Sequence, residues 1–243
     1  MNEINEKNTA LQGLNSEKDK ILSIIAHDLR SPLSTIIGLS GLLESKHGEI
    51  ESEKQLAMMQ GVSNTANRLF QLLENLLDWA RLKQGKIDFF PKTEKLNELV
   101  FASVGLYDEP IVAKQLALNL DIDPNLAVFA DANMVQTIIR NLVSNAIKFS
   151  HRNGQISISA KQVNDNQVQV SVIDCGIGME ESTLKNLFLI SPDAGRVGTE
   201  EEPSSGFGLP LCKELVERNG GTIWAESQEG AGSKFCFTLP SSK

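Results

Sequence analysis

Two apolar stripes at helical spacing, one on either side of a short polar break, constrain the first third of this chain more than any other feature. Leu22, Ile25, Leu29, Ile36, Leu39 and Leu43 recur at steps of three, four or seven, the repeat of a helix that buries one seam. After Ser45-Lys46-His47-Gly48-Glu49, a second stripe runs through Leu56, Met59, Val62, Ala66, Leu69, Leu73, Leu76 and Ala80 and stops at Gly85. The spacing predicts two long helices in a hairpin. Nothing in the same segment can cover a seam of that length, so pairing of two copies into a four-helix bundle, a homodimer, is expected. Spaced apolar positions at Ile4, Leu11 and Leu14 predict that a coiled coil continues upstream, toward an N-terminal module absent from this stretch.

Beyond Gly85 the pattern changes. Lys95 to Ala113 and Ala132 to Lys148 read as helices, whereas Leu116 to Ile122, Gln155 to Gln162, Val168 to Ile173 and Lys234 to Leu239 alternate like strands. Asn164-Asp165-Asn166 has the turn chemistry of an antiparallel hairpin. The predicted fold class is therefore α+β, a one-sided sheet covered by helices, with a domain boundary near Lys86 to Phe89. Ser191 to Ser205, rich in Ser, Pro, Gly and Glu, is expected to be a mobile loop.

Charge and composition exclude several functions. The 31 acidic residues outnumber the 23 basic ones for a net charge of -8, which argues against nucleic acid and anionic membranes as partners. No uninterrupted apolar run exceeds Leu126 to Ala130, so no membrane-spanning segment is expected. The opening Met1-Asn2-Glu3-Ile4-Asn5-Glu6-Lys7 lacks the apolar core of a secretory signal. A cytoplasmic location follows, with any inner-membrane anchor of a parent protein lying outside this stretch. Cys175, Cys212 and Cys236 form no C-x-x-C pair, and His27, His47 and His151 share no ligand spacing, so a metal would need other ligands.

Four segments carry chemistry. In Ala26-His27-Asp28-Leu29-Arg30-Ser31-Pro32, His27 lies two residues past Ile25, about 200° around the helix, so its imidazole is expected to face solvent. Pro32 crowds the carbonyl of Asp28 and predicts a bend at that turn. Asp28 could hold the proton on one ring nitrogen and leave the other as a nucleophile. In Asn141-Leu142-Val143-Ser144-Asn145-Ala146-Ile147-Lys148, Asn141, Asn145 and Lys148 share one helix face. An amide oxygen can ligate Mg²⁺ and an ammonium can meet phosphate, so that face suits a magnesium nucleotide. Asp174-Cys175-Gly176-Ile177-Gly178 follows an apolar strand and offers a carboxylate to an adenine amino group. Ser205-Gly206-Phe207-Gly208-Leu209 runs into a helix whose first N–H groups could face phosphate.

Together and in this order, these segments resemble the catalytic core of a two-component sensor histidine kinase: its His box, its asparagine box and its two glycine boxes. The resemblance extends from about Asp19 to Pro240, through Gly220-Gly221-Thr222-Ile223-Trp224 and Gly230-Ala231-Gly232-Ser233-Lys234-Phe235. It implies a coiled-coil signalling helix over 1–20, a dimerisation and histidine-phosphotransfer hairpin over 21–86 and a GHKL-type α/β sandwich binding ATP over 87–243. It implies His27 as phosphoacceptor, Asp28 as its activator, Asn145 as the Mg²⁺ ligand, Asn141 and Lys148 near the phosphates, and Asp174 holding adenine. Gly176, Gly178, Gly206, Gly208 and Leu209 would shape the pocket and its lid, which maps onto Leu189 to Ser205, with Arg196 a phosphate contact. The implied partner is a response-regulator receiver domain. Ser31 stands where the family usually has Thr or Asn to orient water in a phosphatase reaction, and Ser204 where the second glycine box usually opens with another glycine.

Overall fold

A computed structural model of the chain describes residues 2–45, 51–85, 88–190, 197–200, 202 and 206–242, with side chains from Ser23 onward apart from His27, Arg68 and Lys83. The imidazole of His27, Arg196, Ser204, Ser205 and the 46–50 connection lie outside the described residues. The chain is α+β and divides into two compact units, Met1–Leu77 and Asp78–Lys243.

The first unit is a helical hairpin of α1 (Asn2–Ser45) and most of α2 (Ser52–Lys83). At 1.5 Å per residue, α1 is roughly 66 Å long, and it runs unbroken through Pro32. The helices come together where a Cβ on Gly61 would lie 3.2 Å from the Leu39 side chain. Ile24, Leu72 and Leu76 are buried, whereas Leu33, Ile37, Leu42, Leu56, Met59, Phe70, Leu73 and Leu77 are exposed. Leu72 is thus buried beside a Leu73 that the periodicity had put on the seam. A lone hairpin can turn only one face of each helix inward, and these helices carry apolar residues on more than one.

The second unit is a two-layer sandwich. Its sheet has the order β2 (Ala117–Asp121), β4 (Gln155–Asn164), β5 (Gln167–Asp174), β7 (Ser233–Pro240) and β6 (Ile223–Ser227). Among the described residues of this sheet β2–β4 is the parallel pair, and the other pairs are antiparallel. A ribbon of β1 (Lys92–Lys95) and β3 (Ala127–Ala130) stands beside it. Helices α3 (Leu96–Val104), α5 (Ala132–Phe149) and α7 (Gly208–Arg218) supply the other layer. Val135, Ile138, Ile139, Leu142 and Val143 of α5 are fully buried, together with Ile156, Ile158, Val168 and Val170 of the sheet. Trp79 and Leu82, from the last turns of α2, pack against this core.

The expected helix Lys95 to Ala113 is broken into α3, a 3-10 turn Gly105–Tyr107 and α4 (Asp108–Ala113). Pro110 has no N–H to give to Leu106, so the chain restarts with Pro110 in the first turn of a new helix, where that N–H is not needed. β1 reads Lys-Thr-Glu-Lys and has no apolar alternation to announce it. The short helix α6 (Glu181–Asn186) was equally silent.

Candidate functional site

Strand periodicity buries the key carboxylate. Val168, Val170, Val172 and Asp174 alternate along β5, so Asp174 continues the row that faces the helices and is only 4 % exposed. Its Oδ1 accepts from the backbone N–H of Gly176 at 2.9 Å and of Ser233 at 3.2 Å. Among the described residues nothing donates to Oδ2, which leaves that oxygen for a ligand. Burial raises the Asp174 pKa to about 6, against the lowering effect of the two N–H donors.

The loop after Asp174 is docked on the C-terminal end of α5. Ile177 N–H donates to the Phe149 carbonyl at 3.1 Å, and Ser150 bridges to Gly176. A Cβ on Gly176 would sit 2.1 Å from the Phe149 carbonyl oxygen, and one on Gly178 would sit 1.9 Å from that of Gln228. These two glycines are therefore required by backbone packing around the cleft. The sequence pattern could not distinguish this from close approach to a ligand.

The fold also joins the asparagine face to the second glycine turn. Asn141 and Asn145 are half-buried on α5; Asn141 Nδ2 donates to Thr137 O at 2.9 Å. Its Oδ1 faces Gly208, where a Cβ would lie 2.6 Å away. Phe207, 1 % exposed, anchors that turn in the core, and Gly206 takes a φ of 66°. Leu209 is half-buried in the first turn of α7. Lys148 sits one turn beyond Asn145, with its ammonium 5.2 Å from the centre of the Phe149 ring.

Helix α5 is held at its start as firmly as at its end. Asp131 caps it, accepting from Met134 N–H at 3.2 Å and from Phe90 N–H at 3.0 Å, while its own N–H donates to Asn219 Oδ1 at 2.9 Å. Sequence reasoning missed this latch, although Asp before a helical run is a recognisable cap. It also missed Lys114, which is buried and bonded to the last carbonyls of α5, because a contact across 34 residues leaves no local pattern.

The residues present fit a magnesium nucleotide. Among the described residues no group of three His, Cys, Asp or Glu side chains could hold a metal ion. Mg²⁺ takes hard oxygen ligands, keeps several waters and is held in large part by substrate phosphates, so one amide oxygen on α5 would serve as its protein ligand. In the first unit, Asp28 is half-buried and Ser31 is exposed on α1, with the Ser31 carbonyl accepting from Thr35 Oγ1 at 3.2 Å. No helix among the described residues is long and apolar enough to cross a membrane.

A family model described as histidine kinase-, DNA gyrase B-, and HSP90-like ATPase matches residues 130–243, and one described as His Kinase A (phospho-acceptor) domain matches residues 17–85. The adaptive-response sensory kinase SasA of a Synechocystis species is 32% identical over 230 residues, covering 92% of this chain and 59% of that protein. The autoinducer 2 sensor kinase/phosphatase LuxQ of Vibrio cholerae is 31% identical over 226 residues, 91% of this chain and 26% of that one. The chain thus spans about three fifths of the length of the SasA relatives it matches. Among solved structures, the catalytic domain of histidine kinase ThkA is 30% identical, with a TM-score of 0.54 over 63% of this chain and 96% of that one. Acinetobacter baumannii histidine kinase AdeS shares the fold at a TM-score of 0.72 and 19% identity, over 89% of this chain and 98% of that one. ThkA in complex with the response regulator protein TrrA also reaches a TM-score of 0.72, at 23% identity over 98% of this chain and 66% of that one.

Proposed function

Because the chain belongs to the histidine kinases, with a phospho-acceptor hairpin followed by an ATPase-type domain, we propose that it transfers the γ-phosphoryl group of ATP to His27 and thence to an aspartate of a response-regulator receiver domain. Residues 1–20 form the signalling helix, 21–86 dimerise and carry the acceptor, and 87–243 bind the nucleotide. The observation that carries this reading is Asp174: a carboxylate buried at the end of β5, with both backbone N–H donors on Oδ1, in a loop docked on the helix of Asn141, Asn145 and Lys148. A buried acceptor with one oxygen left over suits an adenine amino group, which gives two hydrogens and has no charge to neutralise.

In this mechanism Asp174 orients the base and Lys148 meets the phosphates. Asn145 offers its amide oxygen to Mg²⁺, which when bound offsets phosphate charge. One ring nitrogen of His27 attacks the γ-phosphorus while Asp28 holds the proton on the other; the bond to the bridging oxygen breaks and ADP leaves. Positioning and charge neutralisation, with little covalent assistance from the protein, account for most of the rate. The exposed apolar residues of α1 and α2 support a homodimer, and the complex of ThkA with its regulator supports a receiver domain as the next acceptor.

The test is incubation with γ-labelled ATP and Mg²⁺, followed by acid and by alkali. Acid-labile, alkali-stable label that vanishes in His27→Gln is the expected result. Label that persists in that variant removes His27 as the acceptor.

A further inference from the structure

Lys114 lies between α4 and β2, far in sequence from every motif singled out above, and it is 4 % exposed. Its ammonium donates to Ile147 O at 3.0 Å, Lys148 O at 3.1 Å and Thr199 Oγ1 at 2.9 Å, and it pairs with Glu202 Oε1 at 2.6 Å. Ile147 and Lys148 are in the last turn of α5, where helix carbonyls lack partners within the helix. A cation at that end also meets the negative pole of the helix dipole. The buried charge is compensated on all sides, as burial of an ammonium demands.

On the far side of Lys114, Gly198, Glu200 and Glu202 are bonded to one another. Gly198 N–H donates to Glu202 O and Glu200 N–H to Glu202 Oε2, both at 2.7 Å. Thr199 N–H donates to Lys148 O at 3.1 Å, and its hydroxyl lies 2.8 Å from Ser150 O. A second ion pair, Arg152 Nε to Glu200 Oε1 at 2.7 Å, fastens the same turn from outside. Gly198 is pressed so closely on Lys148 that a Cβ there would be 2.6 Å from the Lys148 Cγ. Burial would raise the Glu202 pKa, yet the hydrogen bond from Lys114 and the Glu200 N–H hold it below the usual carboxylate value. Glu202 is thus ionised at neutral pH.

We propose that Lys114 is a positioning residue for nucleotide binding: it clamps Gly198, Thr199 and Glu202 onto the end of α5 and thereby fixes the backbone from which Lys148 reaches the phosphates. This rests on the reading of the cleft as an ATP site. The Lys148 carbonyl accepts from Lys114 Nζ and Thr199 N–H, so the loop cannot leave without releasing that residue. The clamp acts on substrate affinity more than on the chemical step, because it touches the phosphate-binding residue and not the acceptor.

Glu202→Gln keeps the shape and removes the charge, and Lys148→Met removes the ammonium that the clamp serves. Loss of a charged hydrogen bond corresponds to about a tenfold change in an equilibrium constant. Glu202→Gln is therefore expected to raise the KM for ATP about tenfold, with kcat within about twofold. In that background Lys148→Met should cost far less than it does alone. An unchanged KM, or effects of the two substitutions that simply multiply, overturns the clamp. Lys114→Met, if it folds, should reproduce Glu202→Gln, while Lys114→Arg should recover part of the affinity. Direct titration of the parent chain with Mg-ATP separates the two readings: no binding at all removes the ATP site itself, whereas tight binding unaffected by Glu202→Gln removes the clamp alone.

Discussion

The two units of this protein solve the burial problem in opposite ways. The second closes its own core: α5 alone places Val135, Ile138, Ile139, Leu142 and Val143 out of contact with water against a five-stranded sheet. The hairpin, with helices several times longer than α7, buries Ile24, Leu72 and Leu76 and leaves Ile37 69% and Leu56 57% exposed. A folded unit that leaves so much apolar side chain in water has the surface of an interface. Under the proposed function the difference separates two tasks: recognition of a small molecule uses a pre-formed rigid cleft, while phosphoryl acceptance would use helices completed by a second copy.

The largest expected effect breaks the hairpin side of that contrast. Ile37→Glu with Leu73→Glu puts two charges on exposed apolar positions, which cannot be buried unpaired in a dimer core. Analytical ultracentrifugation should show a monomer, and labelling of His27 should fall by about a hundredfold or more, since each unpaired buried charge costs several kcal/mol. A mutant that remains dimeric and active would mean that the open face is not the dimer seam. Next in size is the domain side. Ile158→Ala empties a fully buried site in β4 and should cost about 2–5 kcal/mol. The melting temperature of the second unit in this variant should fall by the same amount at every protein concentration, because its core lies within one chain.

How legible this was in the sequence depended on whether a signal was local. The hairpin, α5 and the long strands carry periodic patterns, and β5 with its terminal Asp174 could be placed before any coordinates. β1, polar throughout, and α6, one and a half turns long, have none. The site divides along the same line. Asn141, Asn145 and Lys148 share a helix face by arithmetic alone, but Lys114 and Glu202 meet only because distant parts of the chain arrive at the same helix end. The glycines were legible as residue types and not as to cause, since the carbonyls they accommodate, of Phe149 and Gln228, belong to distant segments.

A third prediction uses the buried carboxylate. The Asp174 pKa of about 6 lies above the ordinary value near 3.9, so the ligand-free fold prefers the protonated form. The stability this contributes is complete below about pH 4 and lost as pH rises through about 6. Nucleotide affinity must run the other way, because a carboxylate, not a carboxylic acid, accepts from the adenine amino group. The Kd for ATP should therefore be flat above about pH 7 and weaken about tenfold per unit below 6. In Asp174→Asn both dependences should vanish. A flat wild-type profile would show that adenine binding does not draw on the charge of Asp174.

The smallest effect is a reaction rate, and it tests whether the nucleotide site belongs to the second unit alone. Cys175 is exposed between Asp174 and Gly176, whereas Cys212 and Cys236 are buried, and burial pushes the Cys212 thiol far up. A thiolate is the reactive species, so a maleimide should modify Cys175 first in the native protein, and Mg-ATP should slow that reaction by covering the adjacent carboxylate. The protection should survive in the Ile37→Glu, Leu73→Glu variant, because the cleft between α5 and the 174–179 loop is built wholly from residues beyond Asp78. If protection is lost when the hairpin can no longer pair, nucleotide binding needs the second copy, and the self-sufficiency read from the closed core extends to folding but not to function.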